Sequence, residues 1–256
     1  MTSTDDGGFV SLRRESGIAV VTMERGKVNA LNDEVVGEFR RVFAALAADD
    51  ETAVVILTSA GSFFSFGFDI PSFLPMPRED FVRFLNGFTD FYRKLFIFPK
   101  PVIAALNGHT IAGGCMIATA CDCRLMVSGR AKISLNEITF GASVFAGSVE
   151  ILKFVVGEKN AREIILSGKM YGAEEARELG LVDQVTAPDD LMTAALASAH
   201  EYAAKDSQAF AALKLLLCQD TLSRIKAREV ESIEAFTDIW YSASTQEQLE
   251  KITIRD

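Results

Sequence analysis

Residues 101–120 constrain the fold of this chain more than any other stretch. Pro101-Val-Ile-Ala-Ala-Leu106 is a short apolar run, Asn107-Gly-His-Thr-Ile-Ala-Gly-Gly-Cys115 is a glycine-containing turn, and residues 116–120 are apolar again. The pattern predicts a buried strand that runs into a turn and opens directly into a helix. Such a turn leaves backbone N–H groups free at a helix start, where the helix dipole favours negative charge. A reaction that builds charge on a carbonyl oxygen can use those groups as an oxyanion hole.

Strand and helix alternate along much of the chain. Residues 9–14 and 17–23 read as a hairpin turned at Glu15-Ser16-Gly17. Residues 33–48 place Val35, Val36, Phe39, Val42, Phe43 and Leu46 at helical spacing, with Asn32 as the N-cap. Residues 53–57 predict a buried strand, 59–65 a loop, and 80–97 a helix that Pro99-Lys100-Pro101 ends. Strands follow at 102–106, 123–127 and 131–134. From 147 onward the pattern is helical, over 147–156, 159–167, 173–179, 189–204, 207–217 and 221–249, with one strand at 181–185. Strands early and helices late predict an α/β core over residues 1–195 and a helical region over 196–256. At 256 residues the chain can bury a substantial core.

The net charge of −9 argues against nucleic acid, whose binding needs a basic surface. No run of about 18 uncharged apolar residues is present to span a membrane. The polar start Met1-Thr-Ser-Thr-Asp-Asp-Gly-Gly8 carries no signal-peptide core, and the ending Ile252-Thr-Ile-Arg-Asp256 is not a peroxisomal signal. A cytoplasmic location is the expectation. Cys115, Cys121, Cys123 and Cys218 fit neither a zinc pattern nor a disulfide framework and read as small buried hydrophobes. Eleven of the 19 phenylalanines fall between 63 and 98. Phe81, Phe84, Phe88, Phe91 and Tyr92 share helical spacing, which reads as core packing; a second reading has some of these aromatics lining a pocket for an apolar acyl group.

Three segments can carry chemistry. Gly61-Ser-Phe-Phe-Ser-Phe-Gly-Phe-Asp-Ile70 follows a buried strand, where α/β proteins place ligand-binding loops. Gly67 permits a turn that other residues resist, so the Phe68 N–H can face a ligand; an ordinary strand-to-loop turn explains the segment equally well. The Ala112-Gly-Gly114 turn is either an anion site or a place of tight helix packing. Glu137 stands in an otherwise apolar or neutral window within Ser134-Leu-Asn-Glu-Ile-Thr-Phe-Gly141. Buried, it would have a raised pKa and act as a general base near neutral pH; exposed, it is a surface or capping carboxylate.

Together these segments resemble the enoyl-CoA hydratase/isomerase, or crotonase, family. The resemblance is carried in matching order by Val28-Asn-Ala-Leu-Asn32, Phe64-Ser-Phe-Gly-Phe-Asp69, Lys100-Pro-Val-Ile-Ala-Ala-Leu-Asn-Gly108, Ala112-Gly-Gly-Cys115 with Ala120-Cys-Asp-Cys-Arg124, and Ala173-Glu-Glu-Ala-Arg-Glu-Leu-Gly-Leu-Val-Asp183. It implies a crotonase-type superhelix of ββα repeats, with 196–256 as a trimerisation region and a homotrimer or hexamer as the assembly. It implies an acyl-CoA substrate of fatty acid metabolism, with no metal and no cofactor beyond the coenzyme A that the substrate brings. By position, the thioester carbonyl receives the N–H groups of Phe68 and Gly113. Lys27, Ala30, Phe66, Asp69 and Ile70 flank the coenzyme A, and Gly114 and Met116 complete the substrate-binding set. Lys27 reads equally well as a solvated lysine.

Hydratases of the family use two glutamates around one water. The position of the first is Met116 here, and the second corresponds to Glu137. One carboxylate beside an apolar neighbour suits a proton shuttle better than addition of water. The Δ3,Δ2-enoyl-CoA isomerases are similar, with one glutamate in a Leu-Asn-Glu context, here Leu135-Asn136-Glu137. The resemblance thus implies that Glu137 takes a proton from C2 of a 3-enoyl-CoA and returns it at C4. The alternatives are a hydratase with a displaced second carboxylate or another crotonase-family lyase or hydrolase, and a non-catalytic acyl-CoA-binding subunit. Glu150 reads as a first-turn helix carboxylate or a second acid, His109 as a turn residue or ligand contact, and His200 as surface. Asp69 reads as a loop brace or substrate contact, and Asp122 as structural.

Overall fold

β1 (Val10–Glu15) and β2 (Ile18–Met23) form the expected hairpin, with Ser16 and Gly17 at φ +50° and +78°, the pair of positive values a type I′ turn requires. The computed structural model describes residues 8–254. Residues 1–7 and 255–256, which enter the readings of the two termini, lie outside the described residues. The two-residue β3 (Ala30–Leu31) leads into α1 (Asp33–Ala47), whose first turn is capped as expected: the Asn32 side chain accepts the Val35 N–H at 3.0 Å.

β4 (Val54–Ser59) is buried throughout. The segment 59–65, expected as a loop, holds β5 (Phe63–Ser65), and β6 (Gly67–Phe68) and the single-turn α2 (Ile70–Phe73) follow at once. Strands this short show no period in a sequence, and their partners lie far along the chain. α3 (Arg78–Phe96) carries the phenylalanine stripe. After β7 (Val102–Leu106) the glycine turn does not open directly into a helix: β8 (His109–Ile111) intervenes before α4 (Gly113–Ala120). β9 (Cys123–Val127), β10 (Ile133–Ser134) and a 3₁₀ turn over Glu137–Phe140 complete this half.

The rest is mainly helical. α5 (Ala146–Ser167) is broken at Gly157 (φ +76°), where two helices were expected. α6 (Ala173–Glu178) precedes β11 (Gln184–Thr186), a strand displaced toward the C-terminus from the expected 181–185. α7 (Leu191–Ala203) contains the expected 195/196 boundary. α8 (Ser207–Trp240) runs without the break expected between 217 and 221, because Cys218, Thr221 and Leu222 keep its inward face buried; α9 (Ala243–Leu249) follows.

The strands form a six-stranded sheet in the order β1-β2-β4-β7-β9-β11, a small sheet β10-β8-β5, and the pair β3-β6. Three times a strand of the large sheet is followed by a short strand of the small one: β4 with β5, β7 with β8, and β9 with β10. This is the repeated ββα winding of the crotonase fold. Every residue of β4 and β7 is buried, as in a parallel sheet covered on both faces. Among the described residues no helix is long and apolar enough to cross a membrane.

Candidate active site

The three segments singled out in the sequence meet at one place. Asn29, buried with φ +50°, accepts the Arg25 N–H and donates to the carbonyls of Ala60 and Phe63, all at 2.8 Å. The Ser65 hydroxyl donates to the Asn29 carbonyl at 2.7 Å and accepts the Gly67 N–H at 3.1 Å. These bonds join the approach to β3 and the β5–β6 loop into one unit. Gly67 has φ +95°, and a Cβ there would lie 2.9 Å from the Ile111 carbonyl oxygen and 3.0 Å from the Gly113 nitrogen, so glycine alone lets β6 lie against the start of α4. Ala112, at φ +49° and ψ −117°, is a strained non-glycine residue at that junction. It is held by its N–H to Ser134 O at 2.8 Å and by its carbonyl, which accepts the Met116 N–H at 3.0 Å.

Beside these elements lies a partly open cavity of about 310 Å³. Phe66, Phe68, Ile70, Gly113, Met116 and Glu137, all expected site residues, line it. Lys27, Ala30, Asp69 and Gly114 do not. Lys27 is exposed, Ala30 is buried in β3, and a Cβ on Gly114 would lie 2.7 Å from the Ser65 carbonyl oxygen. Asp69 pairs with Arg25 at 2.7 Å and accepts the Ser72 hydroxyl at 2.8 Å, bracing the loop. Sequence reasoning missed Phe145, Phe236, Trp240 and Ile252, which also line the cavity. Phe236 and Trp240 lie four apart on one face of α8, a spacing visible in the sequence, but nothing local says which surface that face meets.

Glu137 begins the 3₁₀ turn after β10 and is 6% exposed. Its Oε2 has no hydrogen-bond partner, and burial pushes its pKa up to about 8. It is the only ionisable side chain among the described residues lining the cavity. Met116 stands on the same wall, its sulfur accepting the Ser148 hydroxyl at 3.2 Å. Glu150 is also buried but lies off the cavity, where it accepts the Arg224 Nε at 2.8 Å. His109 packs on Phe63 with ring centroids 4.8 Å apart, away from the cavity, and His200 is exposed on α7. Asp122 accepts the Val102 N–H at 2.8 Å and the Lys214 ammonium at 2.7 Å. The four cysteines are free; Cys115, Cys121 and Cys218 are buried and Cys123 is half-buried.

Two peptide N–H groups adjoin this cavity. The Asp69 N–H donates to Leu31 O at 2.9 Å, and successive peptides of a strand point opposite ways, so the Phe68 N–H faces away from β3. Gly113 is the first residue of α4, where an N–H has no intrahelical acceptor, and no side chain caps that helix.

The chain matches the sequence model of the enoyl-CoA hydratase/isomerase family over residues 13–252. It is 33% identical to the short-chain-enoyl-CoA hydratase of Clostridium acetobutylicum, over 95% of this chain and 93% of that protein. It is 30% identical to the 2,3-dehydroadipyl-CoA hydratase of Escherichia coli, over 94% of this chain and 92% of that protein. The human mitochondrial delta3-delta2-enoyl-CoA isomerase superposes with a TM-score of 0.90 at 25% identity, covering 94% of this chain and 95% of that one. The fold and site together define an acyl-CoA-processing enzyme of the crotonase class. The chain belongs to the enoyl-CoA hydratase/isomerase family.

Proposed function

We propose that this enzyme isomerises a 3-enoyl-CoA to the conjugated 2-enoyl-CoA, with Glu137 as its single proton carrier. The observation that supports this reading is the solitary carboxyl in an otherwise un-ionisable cavity. Ionised Glu137 removes a proton from C2, and the electron pair spreads over C2–C4 and the thioester oxygen. The N–H groups of Phe68 and Gly113 hold that oxygen, each donor contributing about 3–4 kcal/mol to the dienolate. Glu137 then returns its proton at C4, leaving the double bond between C2 and C3. A carboxyl whose pKa lies near 8 is a stronger base than an ordinary glutamate and still ionises close to neutral pH. On this reading Phe66, Ile70 and Met116 bound the thioester region, Gly114 lets α4 pack against Ser65 behind it, and Lys27, Ala30 and Asp69 belong to the segment along which coenzyme A passes.

Addition of water is the second reading, favoured by the names of the sequence relatives. It needs a second group to orient the water. Met116 offers none, and Glu150 is neutralised by Arg224 away from the cavity. Product analysis with 3-enoyl-CoA and 2-enoyl-CoA separates the two. Isomerisation yields the conjugated thioester from the first substrate, and Glu137→Gln loses it by about 10²-fold or more. Undiminished turnover by that variant, or hydration of 2-enoyl-CoA as the faster reaction, sinks the proposal. Binding without turnover marks the chain as an acyl-CoA-binding subunit. A homotrimer or hexamer remains part of the proposal, supported by Leu213, Leu216 and Leu217, which stand 61%, 68% and 70% exposed on α8.

A further inference from the structure

We propose that the acyl group taken by this cavity is an uncharged chain of at most about eight carbons, and that Phe145, Phe236 and Trp240 set the limit. The reaction assigned to that chain rests on the isomerase reading; the size and charge limits do not.

The volume comes first. About 310 Å³ holds on the order of ten water-sized groups at roughly 30 Å³ each. A thioester sulfur, carbonyl carbon and oxygen occupy three of these places, which leaves about seven for carbons beyond C1.

The wall is also fixed. The Phe145 ring lies 4.8 Å from Phe236 and 6.2 Å from Phe88. Trp240 lies 4.7 Å from Phe81 and 5.8 Å from Phe236, and its carbonyl accepts the Gln246 side-chain amide at 2.7 Å. Phe68, on the cavity, packs edge-on against Phe84 and Phe88 at 5.0 and 4.9 Å. The α3 phenylalanines Phe81, Phe84 and Phe88 are fully buried and do not touch the cavity; they stand behind the rings that do. In a close-packed interior Phe145, Phe236 and Trp240 cannot swing aside without displacing another ring.

Charge sets the second limit. Apart from Glu137, the polar side chains on the lining are those of Asn136, Thr139 and Trp240, and no cation is among the described lining residues. An acyl chain ending in a carboxylate would bury that charge unpaired, in the same chamber as Glu137. Hexanoyl-CoA and adipyl-CoA share six carbons and differ only at the last, so they isolate this effect.

The experiment is calorimetric binding of saturated acyl-CoAs of four, six, eight, twelve and sixteen carbons, and of adipyl-CoA, to the wild-type enzyme. Saturated chains cannot be isomerised, so the outcome is independent of the reaction. Affinity is expected to rise about four-fold per methylene up to eight carbons and no further. Adipyl-CoA is expected to bind at least about a hundred-fold more weakly than hexanoyl-CoA. Phe236→Ala is expected to extend the rise to twelve carbons, and Trp240→Leu, which keeps an apolar side chain, is the second variant should the first fail to fold. Affinity that climbs through sixteen carbons in the wild type, or equal binding of hexanoyl- and adipyl-CoA, overturns the inference. The expected binding profile without isomerisation of any 3-enoyl-CoA overturns the reaction alone.

Discussion

Replacing Glu137 with Gln is expected to abolish turnover and at the same time stabilise the fold. Burial raises the carboxyl from 4.5 to about 8, so the native state keeps a proton that the unfolded chain has already released. Below about pH 4.5 both states are protonated and Glu137 costs nothing. Between about 4.5 and 8 only the unfolded chain ionises, and stability falls by about 1.4 kcal/mol per pH unit. Above about 8 the native state ionises too and the penalty levels off. At pH 7 it amounts to about 3 kcal/mol, against about 1 kcal/mol at pH 5. Gln preserves the shape and does not titrate. Urea unfolding of both proteins, at one protein concentration, is therefore expected to show a stability difference about 2 kcal/mol more in the variant's favour at pH 7 than at pH 5. For a chain of this size the gap in Tm widens by roughly 4–8 °C over the same range. All other groups titrate in both proteins and cancel. A difference that stays constant from pH 5 to pH 7 refutes the desolvation argument, because it means that Glu137 ionises at its ordinary pKa.

The same ionisation governs the rate: kcat/KM for isomerisation is expected to rise with pH and level off above about 8, and a plateau reached near pH 5 refutes the role of buried Glu137. Glu150→Gln is expected to leave isomerase activity within about three-fold while lowering stability by about 1 kcal/mol in denaturant unfolding, since it weakens the bond to Arg224 and removes the longer ion pairs to Lys153 and Arg228. Gly67→Ala forces a side chain to φ +95° and into the Ile111 carbonyl, and is expected to cost about 1–3 kcal/mol of stability. It also displaces the Phe68 peptide, so kcat is expected to fall at least ten-fold in a steady-state assay. Leu217→Lys places a charge on the exposed face of α8 and is expected to shift the assembly toward smaller species in light scattering, with far-UV circular dichroism unchanged.

What the sequence shows and what it hides divide along range of interaction. The Asn32 cap, the strands β7 and β9 and the α3 stripe are written in local period and local chemistry. The strands β3, β5, β6, β8 and β10 are two or three residues long and exist only because a distant partner lies beside them, as Ala30 lies beside Gly67. Glu137, Phe68 and Gly113 were legible because glycine spacing and a lone acid in an apolar window are local signals. Phe236 and Trp240 were not, because the rings they face, Phe145 and Phe81, lie far off along the chain. Of the aromatics between 63 and 98, the α3 rings are core, and Phe66 and Phe68, which precede that helix, line the cavity.

That division explains why Met116 decides so much. The Glu137 shift is caused by burial, opposed only by a backbone hydrogen bond, and no neighbouring charge contributes. Rings off the cavity hold its wall in place: Phe84 and Phe88 pack on Phe68, and Phe81 packs on Trp240. With an apolar residue at 116, Glu137 is the one acid facing the cavity among the described residues, and on the proposed reading it has one proton to move. A carboxylate at 116 would bring a second charge, and the two acids would repel each other and titrate as a pair. It would also give water something to bind. A chamber suited to holding water between two acids and a chamber suited to moving one proton along a carbon chain therefore require different residues at this single position. The aromatic wall that keeps Glu137 basic favours the second only while Met116 keeps the chamber free of another acid.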